Sequence, residues 1–336
     1  MRQARIKAEE GQSGVYHCLS RIVGGQCLLD DVGKEKLVSL LHQLARFCEV
    51  EILTYCILSN HFHLLIRIPA QLPPESYSDA DLCRKLEDFH GPRANLTLQA
   101  AQCLEQGRPL DADLRKAVLS RLRDVSVFLQ EFKQRFTRWY NRLHQRTGYL
   151  WGERFKSVLV EDAPLALRAM AAYIDLNPVR AGLVRDPKDY RFCGYTAALA
   201  GEASLRSGLS SFLEASEWPE AAAEYRRLLF VTGGRSGHSD KQALDPKSIQ
   251  SALQQGGELP LGQILRLHIR HFTDGVFLGS RQYVDEMWAR HRQRFSQRRR
   301  SGARTIRGAP LPGLAVLRDL RVDAVRASAN LLPSGD

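Results

Sequence analysis

The sequence has few of the features that mark membrane or secreted proteins. No run of 18 apolar residues occurs, so no transmembrane helix is predicted. The N-terminal stretch MRQARIKAEEGQSG lacks the apolar core of a signal peptide. The seven cysteines are odd in number and form no CxxC pair, which argues against a disulfide framework and against a structural zinc site. We therefore expect a cytoplasmic protein with reduced thiols.

The charge balance favours a polyanionic partner. Lys and Arg number 48 against 37 Asp and Glu, which gives a net charge of +11. Such a surplus is typical of proteins that bind nucleic acid, although a generally basic protein would show the same balance. The positions of the arginines therefore carry more information than their number.

The spacing of apolar residues predicts the order strand, helix, strand, strand, helix, strand, helix. The strands are expected at 14–22, 50–58, 61–68 and 154–161, and the helices at 34–48, 124–146 and 163–175. This order predicts an α+β fold of the ferredoxin-like, split-βαβ type, with an antiparallel sheet and helices on one face. A helical C-terminal extension is expected to follow.

Changes in composition divide the chain into four parts. The first, 12–200, holds the predicted α+β domain and is interrupted by an insertion at 69–125. The insertion begins with prolines and serines, and short polar helices are expected in it near 79–89 and 111–124. A helical segment with a linker is expected at 201–242, and a basic, helical accessory region at 243–300. We expect the tail, 301–336, to be disordered in part.

The strand HFHLLIRI at 61–68 is the most informative segment. Because side chains alternate along a strand, His61 and His63 lie on one face together with Arg67, and Phe62 lies on the other. Their Cα atoms are about 6.6 Å apart along the strand, a separation that allows the two imidazoles to converge on one metal ion. A His-x-His pair alone is weak evidence, because two histidines on a solvated strand face are common.

The helix predicted at 124–146 adds evidence for a metal site that acts on nucleic acid. It interleaves aromatic side chains with Arg135, Arg138, Arg142 and Arg146, a combination that suits single-stranded nucleic acid. Tyr140 and His144 are four residues apart and share a helical face, so a tyrosine nucleophile and a further metal ligand are candidates there. Arg67 on the histidine strand, and Arg154 and Lys156 beside the turn that follows the helix, are also expected to contact DNA.

Several segments in order resemble the REP-associated tyrosine transposases and their insertion-sequence relatives, which carry the single-tyrosine HUH domain. These segments are YHCLSRI, ILSNHFHLLIRIP, FKQRFTRWYNRLHQRTGYLWGERFKSVLVED, AAYIDLNPVRAGLV and DYRFCGY. The resemblance covers roughly residues 12–200 apart from the insertion.

The resemblance implies a mechanism. His61 and His63 would hold a divalent ion, Mg²⁺ or Mn²⁺, and His144 is the candidate third ligand from its position on the helix. A helical tyrosine, here Tyr140, would attack single-stranded or hairpin DNA and form a phosphotyrosine intermediate before strand transfer. The sequence departs from the family at this point, because tyrosines of the relatives stand where this chain has Phe136 and Trp139. Tyr140 stands one position after Trp139, and one helical position is a rotation of about 100° around the helix axis.

The sequence is compatible with three functions. The first is a DNA transposase or single-strand endonuclease with a tyrosine nucleophile. The second is a catalytically inactive DNA-binding protein with the same fold. The third is a His-x-His metallohydrolase of small molecules, which would need a parallel βα barrel that the predicted hairpin at Asn60 argues against. A homodimer is also open, since relatives include dimers whose sites are completed in trans.

Overall fold

An antiparallel sheet with the predicted ferredoxin-like order forms the centre of the protein. The computed structural model describes residues 5–213, 215–233, 272–273, 275–295, 299–305 and 313–318. The first strands are β1 (Gly14–Arg21), β2 (Glu51–Ile57), β3 (His61–Ile68) and β4 (Lys156–Val160). They pair antiparallel in the order β2-β3-β1-β4. The α+β class is confirmed.

Two long helices cover one face of this sheet. Helix α1 (Asp31–Cys48) starts where the Asp30 side chain accepts a hydrogen bond from the Gly33 amide. Helix α5 (Val125–Leu143) starts in the same way at Asp124. The ring of Phe62 in β3 packs against Phe132 of α5 with centroids 5.3 Å apart. The apolar face of β3 therefore points toward α5, as its alternation predicts.

The opposite face of the sheet is also covered, which corrects the prediction that helices lie on one face. Helix α6 (Pro164–Asp175) follows β4, and its Tyr173 ring lies 5.7 Å from the ring of His63. Nearly every residue of α6 from Ala166 onward is buried. Because a helix that is apolar all round needs partners on all sides, α6 is sandwiched between the sheet and later helices rather than exposed.

The later helices pack around α6 and the β2 edge of the sheet. They are α7 (Asn177–Arg180), α8 (Gly194–Leu199), α9 (Ala203–Ser210) and α10 (Trp218–Gly233). An amide-to-carbonyl hydrogen bond of 3.0 Å from Ile57 to Phe192 covers the end of β2. Such a cover protects an edge strand from pairing with other chains. Helix α9 comes so close to β2 that a Cβ on Gly208 would lie 2.5 Å from the Ile52 carbonyl oxygen.

The insertion forms three short helices beside α1. They are α2 (Asp79–His90), α3 (Asn95–Glu105) and α4 (Ala112–Leu119). The sequence predicted helices near 79–89 and 111–124 but did not predict α3. The rings of Phe47 in α1 and Phe89 in α2 pack 4.6 Å apart, so the insertion extends the core rather than interrupting it.

The C-terminal extension adds strands as well as a helix. Strand β5 (Gly275–Ser280) pairs parallel with β4, and α11 (Arg281–Arg290) follows it. Strands β6 (Arg304–Thr305) and β7 (Leu314–Arg318) complete an order of β2-β3-β1-β4-β5-β7-β6 among the described residues. The sequence predicted a helical extension and a tail at 301–336 that is disordered in part, and it did not predict these strands. Apolar residues such as Val316 and Leu317 are buried there.

Other predictions for the C-terminal half fall outside the description. Positions 234–242 of the predicted linker and positions 243–271 of the predicted accessory region lie outside the described residues. Within the described ranges, every helix falls short of the length and apolar character that a membrane crossing requires.

A buried carboxyl group fixes α6 to its neighbours. Asp175 is fully buried and accepts hydrogen bonds from the Thr54 hydroxyl in β2 at 2.9 Å and from the Tyr225 hydroxyl in α10 at 2.6 Å. The Tyr195 amide of α8 is 3.4 Å from the same carboxyl group. Burial raises the pKa of Asp175 from 3.8 to about 7 despite these donors. One side chain thus joins α6 to the sheet and to two other helices.

We expect Asp175 to make stability fall as the pH rises. The folded protein keeps the proton up to a pKa of about 7, whereas the unfolded chain releases it near 3.8, so the unfolded state binds fewer protons between these values. Asp175→Asn removes this titration. Urea unfolding at about pH 4.5 and about pH 7 should show the wild type losing stability relative to the variant at the higher pH. A difference that does not change with pH would contradict this assignment.

Candidate functional site

Three histidines lie together on the sheet face that α6 covers. His61 and His63 are on one face of β3, and their ring centroids are 5.0 Å apart. His17 of β1 lies beside them, with its ring centroid 5.1 Å from that of His63. The paired strands align Leu19 opposite His63 and Arg21 opposite His61, so the odd-numbered residues of both strands share this face. The predicted convergence of the pair His61 and His63 on one face is present.

Hydrogen bonds connect these histidines to each other and to the chain around them. His17 Nε2 is 2.9 Å from His63 Nδ1, and the two rings are nearly coplanar, at 10°. His17 Nδ1 is 2.7 Å from the Phe272 carbonyl oxygen. His61 Nδ1 is 2.5 Å from the side-chain oxygen of Asn60. In both His61 and His63, Nδ1 makes these hydrogen bonds and Nε2 is the second ring nitrogen.

Burial keeps the three imidazoles neutral. His17 and His63 are each 1% exposed, and His61 is half-buried. Desolvation lowers the pKa of His17 and of His61 to about 4 and lowers the pKa of His63 well below its usual range. The nearby guanidinium of Arg21 acts on His61 and His63 in the same direction. Neutral imidazole is the form that binds metal ions.

Tyr173 of α6 is the tyrosine that the fold brings to these histidines. Its ring centroid is 5.7 Å from that of His63 and 6.0 Å from that of His17, both edge to face. The Arg180 guanidinium of α7 lies 5.2 Å from the centre of the Tyr173 ring. Burial lowers the pKa of Arg180 to about 10, which still leaves a cation at neutral pH. A hydroxyl-bearing ring, a cation and a histidine pair thus occupy one face.

The Asn177 side chain forms hydrogen bonds with the last turn of α6. Its side-chain amide donates to the Tyr173 carbonyl at 2.9 Å and to the Ile174 carbonyl at 3.2 Å. These bonds satisfy carbonyls at the end of α6.

The C-terminal extension closes the site. Phe272, just before β5, stacks on Tyr173 with centroids 4.9 Å apart and rings 10° from parallel. As a result Tyr173 is only 2% exposed. The parallel pairing of β5 with β4 holds this segment over the histidine face.

The structure does not bring Tyr140 or His144 to the histidine pair. Tyr140 lies on α5, on the other side of the sheet, is 4% exposed, and donates its hydroxyl to the Leu28 carbonyl at 3.1 Å. His144 is exposed at the end of α5 and packs on Tyr140 with centroids 4.1 Å apart. Because Phe62 points toward α5, His61 and His63 must point away from it. The assignment of Tyr140 as nucleophile and His144 as third ligand is therefore corrected.

The predicted DNA-binding cations fall into several places. Arg67 lies at the far end of β3 from His61 and is paired with Asp162 at 2.8 Å and Glu51 at 3.0 Å. Arg135 is paired with Glu131 at 3.2 Å. Exposed or half-exposed positions on or near α5, away from the histidine face, are held by Arg138, Arg142 and Arg146, and Arg154 is exposed just before β4.

Two further cations lie on the histidine face, in addition to Arg67 and Arg180. Lys156 is aligned with Leu19, which is aligned with His63, so these residues share one row across the sheet. Arg21 is aligned with His61 and is exposed. The sequence named Lys156 but missed Arg21, His17 and Tyr173. Strand alternation in YHCLSRI would have placed His17 and Arg21 on one face, but only the pairing of β1 with β3 makes it the face of His61.

Among the described residues, no three His, Cys, Asp or Glu side chains are arranged as a metal site. His17 is a hydrogen-bond partner of His63.

No protein-family description matches the sequence, and no curated protein matches it either. Among solved structures, the chain is similar to a REP-associated tyrosine transposase bound to a REP hairpin, with a TM-score of 0.39 and 16% identity. The match covers 60% of this chain and 87% of that one.

We expect the closed site to protect Tyr173 from chemical modification. Nitration by tetranitromethane, mapped by peptide mass spectrometry, should modify Tyr149, which is 91% exposed, and spare Tyr173, which is 2% exposed. Phe272→Ala removes the stacked ring and should raise the nitration of Tyr173 while Tyr149 stays constant as the internal reference. Equal nitration of Tyr173 in both proteins would show that Phe272 does not cover it.

Proposed function

We propose that the protein binds single-stranded or hairpin DNA and cleaves and rejoins it through Tyr173. The position of the Tyr173 ring beside His63 and His17, on the face that also holds His61, carries this proposal. Arg21 and Lys156 on the same face supply positive charge for a phosphate backbone. The resemblance of the sequence to single-tyrosine transposases agrees with this class of reaction, with the nucleophile on α6 rather than on α5.

The covalent step is a transesterification. The Tyr173 hydroxyl oxygen attacks a backbone phosphorus atom and loses its proton to solvent, and the bond from phosphorus to the 3′ oxygen breaks. The 3′ oxygen takes up a proton and leaves as a free hydroxyl, and the 5′ phosphate stays on the tyrosine. One ester bond replaces another, so rejoining needs no separate energy source. Arg180, 5.2 Å from the Tyr173 ring, stabilises negative charge that develops on the phenol oxygen or the phosphate.

The residues of the site fit a divalent ion through His61 and His63. Both side chains have Nδ1 in a hydrogen bond, to Asn60 and to His17 respectively, which is how metal-binding histidines are usually held. When bound to the Nε2 atoms, Mg²⁺ or Mn²⁺ would polarise the scissile phosphate. With two protein ligands, the other positions would belong to water and DNA, as is common for Mg²⁺.

A DNA-binding protein without cleavage is the second candidate. The observation in its favour is the burial of Tyr173 under Phe272, since a nucleophile that is 2% exposed cannot reach a phosphate unless the cover moves.

Assembly as a homodimer, which is open from the sequence, stays a proposal that sedimentation equilibrium would test.

A pair of tyrosine variants tests the nucleophile. Tyr173→Phe should abolish the covalent protein–DNA adduct that denaturing gel electrophoresis detects with a labelled hairpin oligonucleotide and Mn²⁺. Tyr140→Phe is the matched control and should keep the adduct, at a stability cost of about 0.5–1.5 kcal/mol for the lost hydrogen bond to Leu28. An adduct that disappears only in Tyr140→Phe would overturn the assignment. Tight DNA binding with no adduct in the wild type would establish the second candidate.

A pair of arginine variants tests which side of the sheet DNA contacts. Arg21→Gln removes an exposed charge beside His61, and Arg138→Gln removes an exposed charge on α5. If Arg21 contacts a phosphate of single-stranded DNA, its loss should reduce the slope of log affinity against log salt by about 0.7. We expect Arg138→Gln to leave the slope unchanged, as measured by fluorescence anisotropy. The reverse result would place DNA on α5.

A further inference from the structure

We propose that His17 is a positioning residue that fixes the tautomer of His63 and thereby prepares His63 to bind a metal ion. The proposal rests on the proposed function, because it concerns the same site. It assigns a role to a histidine that is not itself a metal ligand.

The first step concerns His17 and the backbone of the C-terminal extension. A carbonyl oxygen can only accept a hydrogen bond, so the Phe272 carbonyl, 2.7 Å from His17 Nδ1, requires a proton on that nitrogen. A neutral imidazole carries one proton. His17 Nε2 must then carry a lone pair and act as an acceptor.

The second step transfers this constraint to His63. His63 Nδ1 lies 2.9 Å from His17 Nε2 in a nearly coplanar arrangement, so a proton on His63 Nδ1 points along the acceptor lone pair. With its one proton on Nδ1, neutral His63 has its lone pair on Nε2. That is the nitrogen that a metal ion needs, since a ligating nitrogen must be free of its proton.

The environment makes this arrangement hard to replace. Both rings are 1% exposed, so water cannot substitute for either partner, and a buried unpaired ring nitrogen is costly. Protons on both facing nitrogens would set two donors against each other at 2.9 Å. Tyr173 lies edge-on to both rings, which limits their rotation.

The series of hydrogen bonds that orients His63 begins at a residue of the C-terminal extension. The same residue, Phe272, covers Tyr173 with its ring and orients His17 with its carbonyl. The packing of Phe272 against Tyr173 and His17 and the metal affinity of His63 are therefore coupled. By linkage, a metal ion bound at His63 would in turn stabilise the contacts of Phe272 with Tyr173 and His17.

NMR of the unmodified protein tests the tautomer directly. Two-bond ¹H–¹⁵N correlations of the imidazole rings, recorded without metal near pH 7.5, distinguish a proton on Nδ1 from one on Nε2. We expect Nδ1–H for both His17 and His63. A His63 ring with its proton on Nε2 would overturn the proposal without any variant.

Metal titration of variants tests the consequence. His17→Leu removes the acceptor, and His17→Gln can still accept the His63 proton through its amide oxygen. Calorimetry with Mn²⁺ should show about 10- to 100-fold weaker binding for His17→Leu, with part of the affinity restored in His17→Gln. The matched control, His144→Ala, removes an exposed histidine and should bind Mn²⁺ like the wild type.

The outcomes separate this proposal from the proposed function. A folded His17→Leu variant that binds Mn²⁺ like the wild type would overturn the role of His17 even if the wild type forms DNA adducts. A wild type that binds no Mn²⁺ would remove the metal from the proposed function, and the NMR spectrum would still decide the tautomer. If His17→Leu fails to fold, His17→Gln and the wild-type spectrum decide.

Discussion

The alternation of side chains along β1 and β3 is the constraint on which the rest of the structure depends. It sends Phe62 toward α5 and leaves His61 and His63 on the opposite face, where the pairing of β1 with β3 adds His17 and Arg21. A register shift of one residue would exchange the two faces and place the histidines in the apolar core against α5. Every later feature of the site, including the position of α6, follows from this division of the sheet into an apolar side and a side that carries chemistry.

Burial connects stability with the proposed chemistry. Asp175 joins α6 to β2 and α10 through the hydroxyl groups of Thr54 and Tyr225, and this fixes the rotation of the helix. Tyr173, two residues earlier, is consequently held against His63. The stacking of Phe272 on Tyr173 completes the enclosure. A site enclosed in this way favours neutral imidazoles and strong electrostatic interactions, but it also requires movement of the cover before a strand of DNA can enter.

The sequence predicted the fold of the first 200 residues well because the relevant signals are local. Strand alternation in HFHLLIRI placed His61 and His63 on one face, and helix periodicity placed α1, α5 and α6 within a few residues of their bounds. Tyr173 was missed because α6 is apolar all round, so periodicity alone gives no direction for any of its side chains. Strand β5 was missed because its pairing with β4 joins positions more than a hundred residues apart in sequence. Tyr140 was favoured by the basic residues around it, although its helix packs on the apolar side of the sheet.

Peptide mapping of a covalent adduct formed by the wild-type protein tests the central claim most directly. After incubation with a hairpin oligonucleotide, nuclease and trypsin digestion would leave a short nucleotide remnant on one peptide. Cleavage after Arg168 and Arg180 gives AMAAYIDLNPVR, which contains Tyr173, and cleavage after Arg138 and Arg142 gives WYNR, which contains Tyr140. Our account predicts the mass of the remnant on AMAAYIDLNPVR. The remnant on WYNR would contradict it.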